Sequence, residues 1–75
     1  MYKLDKADKN SPRYRISKNL RKLRGSMSRG LLSQKAKLSV NTIVKIETDP
    51  NSNPTIEALV RVSSALGIKV EELFR

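Results

Sequence analysis

The side chains of this protein that could do chemistry are almost all basic or neutral polar. Sixteen lysines and arginines stand against seven acids, a net charge of +9, and there is neither cysteine nor histidine. Without cysteine there is no disulfide, thiolate metal site or thiol nucleophile, and without histidine the usual general base and the commonest metal ligand are missing. No nucleophile-base pair or metal cluster can be assembled, so the chain reads as no enzyme and calls for no cofactor or metal. What remains is charge and hydrogen bonding, and an imbalance of this size points to a polyanionic partner. The stretch MSRGLLSQKAKLSVNTIVKIE, Met27 to Glu47, reads as two short helices joined by a tight turn. Small basic domains use that arrangement to hold a helix in the major groove of DNA.

Seventy-five residues allow one domain, and a chain of this size buries only about 60% of its unfolded surface, so its core must be simple. Residues 1–11 are polar and of mixed charge with no periodic apolar pattern, and are read as a flexible basic arm ahead of a domain over 12–75. The arm has no apolar signal-peptide core, and no apolar run is long enough to cross a membrane, which predicts a cytoplasmic, nucleoid-associated protein.

Helix starts are well marked. Asn10 and Ser11 offer a cap before Pro12, and Ile16, Leu20 and Leu23 then recur at i, i+4 and i+7, which predicts a helix from Pro12 to Arg24. Gly25 and Ser26 stop it. Ser28 caps a second helix, Arg29 to Ala36, with Leu32 and Ala36 inward and Met27 as the staple residue. Ser39 caps a third, Val40 to Glu47, with Ile43 and Ile46 inward and Val40, Asn41, Val44 and Lys45 elsewhere on its surface. The segment DPNSNP breaks the pattern. A fourth helix runs from Ile56 to Leu66, with Ile56, Leu59, Val60, Ser63 and Leu66 on the helical period and Gly67 as a left-handed cap. A last turn is expected to return Val70, Leu73 and Phe74 to the core. The fold class is therefore all-α, a compact bundle of about five short helices containing a helix-turn-helix.

LRKLR in the first helix, Met27-Ser28 at the start of the second, TIVKIE ending the third, NPTIEAL opening the fourth and ALGIKVEELF at the end occur together. In this the chain resembles the Cro/phage-repressor, or XRE, family of helix-turn-helix regulators over roughly residues 16–74. The resemblance implies a lambda-repressor-like DNA-binding domain whose third helix reads base edges through Val40, Asn41 and Lys45, with Val44 at the margin. Asparagine can bond bidentately to adenine, lysine donates to guanine acceptors and valine meets a thymine methyl. It further implies that Ser28 and Arg29, at the start of helix 2, and Thr42, Asn51, Ser52 and Asn53 approach the sugar-phosphate backbone.

Three departures from the family pattern stand out. Arg29 replaces a residue that is commonly glutamine, adding charge where a helix N-terminus already attracts phosphate. Lys37 takes the place of the usual turn glycine, at a steric cost on the order of 1 kcal/mol if a left-handed geometry is kept. The link between helices 1 and 2 is about two residues shorter than usual.

The resemblance implies a sequence-specific regulator of transcription, a repressor that binds a near-palindromic operator on double-stranded DNA as a homodimer. Val62, Ile68 and Phe74 offer an apolar patch for the dimer, and Lys3, Lys6 and Lys9 of the arm would add contacts that Asp5 and Asp8 dilute. The alternative is a protein-interaction module on the same fold, such as an antitoxin with a toxin as its partner. Glu47 reads as a structural carboxylate paired with Arg21 or Arg24. Arg13, Arg15, Lys18, Arg21, Lys22 and Arg24 of helix 1 are equally open to being only a solvated face. Two tyrosines and one phenylalanine make no base-stacking platform.

Overall fold

The four cap residues each close their helix by the same local bond. In the computed structural model, which describes residues 11–49 and 52–75, Ser11, Ser28, Ser39 and Thr55 have extended backbones. Each accepts a hydrogen bond at its side-chain oxygen from the amide three residues on. The cap satisfies one of the amides that a helix start leaves unpaired. The helices that follow are α1 (Pro12–Arg24), α2 (Arg29–Ala36), α3 (Val40–Thr48) and α4 (Ile56–Leu66), and a 3-10 helix, Val70–Phe74, ends the chain. Among the described residues there is no strand. Helix α3 runs one residue past the expected Glu47. Residues 1–10 of the expected arm lie outside the described residues, and Ser11 belongs to the cap of α1.

Ile16, Leu20, Leu32, Ala36, Ile43, Ile46, Leu59, Val62 and Leu73 form the buried core, one contribution or more from every helix. Leu23, Met27, Leu38, Ala65, Leu66, Ile68 and Val70 pack around it. Met27 and Leu32 stand one before and four after the Ser28 cap, the positions at which a hydrophobic staple fixes the entry of the chain into a helix.

Three expectations need correcting. Ile56 is 80% exposed and Val60 48% exposed. The buried side of α4 is instead Ala58, Leu59, Val62 and Ser63. The apolar pattern of this helix is wider than the strip its neighbours cover, so periodicity alone does not choose among its apolar residues. Val62 is fully buried and has no surface to give to a dimer. Phe74 is 38% exposed, whereas Leu73 is fully buried. At three residues per turn a 3-10 helix puts Val70 and Leu73 on one side and carries Phe74 to the next.

The turn between α2 and α3 keeps its left-handed geometry without glycine. Lys37 lies at φ 58° and ψ 44°, and its amide bonds back to the carbonyl of Gln34 while Leu38 bonds to Ser33. Gly67 ends α4 in the same way, at φ 72°. A lysine there carries the clash between Cβ and carbonyl that glycine escapes, and the helix-turn-helix angle is set despite it.

Candidate DNA-contacting surface

Helix α3 is anchored on one side and open on the other. Ile43 and Ile46 are buried, while Val40, Asn41 and Lys45 are exposed and Val44 is half-buried. Asn41 and Lys45 stand four residues apart and so one above the other on the helix surface. At the start of the helix the Ser39 hydroxyl accepts from the Thr42 amide at 3.1 Å and shares a hydrogen bond of 2.8 Å with the Thr42 hydroxyl. Thr42 is half-buried and engaged in this cap.

Helix α2 begins beside it. The exposed Ser28 accepts the Leu31 amide at 3.0 Å. Arg29, the first helical residue, donates from Nε to Oε1 of Glu47 at 2.9 Å, and its side chain keeps 36% of its surface exposed. Glu47 is the buried centre of this corner. Arg24 of α1 donates to it from Nε (2.6 Å to Oε2) and from a terminal nitrogen (3.0 Å to Oε1), and its other terminal nitrogen reaches the Met27 carbonyl at 2.6 Å. The expected structural role of Glu47 thus falls to Arg24 rather than Arg21, with Arg29 as a second cation. Burial alone would raise the Glu47 pKa, but the hydrogen bonds from Arg24 and Arg29 and their charges more than reverse this and hold the carboxyl below its ordinary value. The hydrogen bond to Glu47 likewise raises Arg24 above the usual arginine value.

The loop after α3 is held by a residue that the sequence reading left among the solvated cations. Arg13 is only 8% exposed. Its guanidinium donates to the carbonyls of Lys45 (2.9 Å), Asp49 (2.7 Å) and Ser52 (3.0 Å) and to the Ser52 hydroxyl (2.7 Å). The Ser52 hydroxyl in turn donates to the Lys45 carbonyl at 3.2 Å. Burial lowers the Arg13 pKa, and the charge of Asp49 partly restores it. A signal was present in the sequence, because Arg13, Ile16 and Leu20 stand at i, i+3 and i+7, on one helical face. Of the expected backbone-contacting loop residues, Ser52 is half-buried and Asn53 is exposed. Asn51 lies outside the described residues. Among the described residues no group of three or more acids could hold a metal ion, and no helix is long and apolar enough to cross a membrane.

The helix-turn-helix family model matches residues 18–73, from the middle of α1 to the 3-10 helix. The chain belongs to the XRE family of helix-turn-helix DNA-binding regulators. No curated protein gives a significant match to its sequence. Among solved structures, this XRE-family chain is similar to the restriction-modification controller protein C.AhdI from Aeromonas hydrophila. The TM-score is 0.73 and the identity 24%, over 80% of this chain and 92% of that one. At this identity the likeness carries the fold, including the pairing of α2 with α3 that defines the motif.

Proposed function

We propose that this XRE-family protein is a sequence-specific repressor that binds a near-palindromic operator as a homodimer, with α3 in the major groove of each half-site. The observation that carries this reading is the outward edge of α3. It exposes Val40, Asn41 and Lys45 on a helix whose other side is locked into the core. Those three side chains, with Val44 at their margin, would read base edges. Ser28, Arg29, Thr42, Asn51, Ser52 and Asn53 would fix the register on the sugar-phosphate backbone. The solved structure it resembles is a controller protein by name, and a role in controlling genes is the part of that name carried here. A site in the cytoplasm, at the nucleoid, follows from the proposed partner.

Two recognition helices on a dimer would meet half-sites about one helical turn apart. Selection of bound duplexes from a random library, then titration of the best site against shuffled DNA at two salt concentrations, tests this. A two-half-site motif bound at least ~10³-fold more tightly than shuffled DNA is the expected result. Salt-sensitive binding to any duplex, with no motif enriched, would instead favour a protein-interaction module, such as an antitoxin with its toxin.

A further inference from the structure

We propose that Arg13 is a positioning residue for DNA: it locks the loop after the reading helix to that helix, so that Asn53 meets phosphate in register with Asn41 and Lys45. The proposal rests on the reading that this loop faces the sugar-phosphate backbone.

Arg13 occupies a position on the buried face of α1 where, with Ile16 and Leu20, an apolar residue would complete the stripe. An apolar side chain of similar length would avoid the desolvation of a buried cation, and such replacements are often neutral or stabilising. What an apolar residue cannot do is join the places that this guanidinium joins. Its acceptors come from the last turns of α3, Lys45 and Asp49, and from Ser52 beyond it. The carbonyls at the end of a helix have no intrahelical partner and carry its negative dipole end, so one cation with several donors serves them together. The planar fork of arginine bridges such acceptors, where a lysine would act as a point charge.

The loop is therefore tied to α3 through a single side chain of α1. The Ser52 hydroxyl is part of that tie: it accepts from Arg13 and gives its only proton to Lys45. The exposed polar side chain next to it is Asn53, at the point where the Arg13 contacts end.

The test compares wild type with Arg13→Lys and Arg13→Met on the selected operator, across a salt series, at a temperature where all three are folded by circular dichroism. Arg13→Met keeps the length and suits the buried stripe, so it serves if the lysine variant does not fold. Both variants are expected to bind every duplex about tenfold more weakly and to lose about 0.9 from the log-log salt slope per half-site, with base preference unchanged. A lowered melting temperature with wild-type affinity and slope would make Arg13 a stabilising residue only and overturn the proposal. So would a slope lost in Arg13→Met but kept in Arg13→Lys, since charge alone would then be responsible. Asn53→Asp separates the two levels of the argument. If it weakens binding while the Arg13 variants do not, the positioning role alone fails. If it leaves affinity unchanged, the loop does not face phosphate and both readings fall.

Discussion

Arg24 and Glu47 meet through two hydrogen bonds, at 2.6 and 3.0 Å, and join α1 to the end of α3 across 23 residues of sequence. The carboxylate is wholly buried and Arg29 holds it from the other side. Removing one partner from such a group leaves uncompensated charge. Glu47→Gln is therefore expected to lower stability by about 3 kcal/mol. Urea denaturation of the two proteins at neutral pH measures it, and a difference below the scatter of the fit would show that the two arginines relax freely into water.

The same carboxylate gives the fold an acid limit. Its folded pKa is below its ordinary value, so its contribution is complete at pH values above the unfolded pKa of about 4.3 and is lost as pH falls through the lower folded value. The urea midpoint of wild type should fall across that window, and Glu47→Gln, which has no proton to take up there, should show a shallower decline. Parallel curves for the two proteins would assign the acid sensitivity to other carboxylates.

Lys37 holds a left-handed backbone at φ 58°. Lys37→Gly removes the Cβ clash but adds freedom to the unfolded chain, for a net gain of about 0.5–1 kcal/mol. On a domain of this size that is a rise in Tm of roughly 2–8 °C. Lys37→Val, β-branched, should lower Tm. Scanning calorimetry on the three proteins decides it, and a glycine variant no more stable than wild type would show that the turn relaxes around lysine.

Arg29 divides its guanidinium between Glu47 and solvent. If its free edge meets a phosphate, Arg29→Gln should reduce the salt slope by about 0.9 per half-site and weaken specific and shuffled DNA alike. An unchanged slope would leave Arg29 as a structural partner of Glu47 alone.

Asn41 and Lys45 are exposed, so their joint replacement by alanine should leave the helical circular dichroism intact. Each bidentate or paired base contact is worth about 1–3 kcal/mol of discrimination. The ratio of specific to shuffled binding is expected to collapse while shuffled binding falls only modestly. Retention of the ratio would move base reading to other residues, and loss of folding would make these two structural.

What the sequence determined by itself is local. Ser11, Ser28, Ser39 and Thr55 close their helices with bonds that span three residues, and the apolar spacing of 16, 20, 32, 36, 43 and 46 marks the core, because both effects act within a turn or two of chain. Membership of the family was legible too, from motifs spread over most of the domain. Tertiary structure alone decided the rest. Arg13 found acceptors 32 to 39 residues away, and Arg29 found Glu47 at a distance of 18. The choice between a solvated and a buried cation depends on which carbonyls or carboxylates the packing of α1 against α3 brings within reach. Ile56, Val60 and Phe74 were left exposed for a related reason. Helical periodicity says which residues share a face, but only the neighbouring helices determine how much of that face is covered.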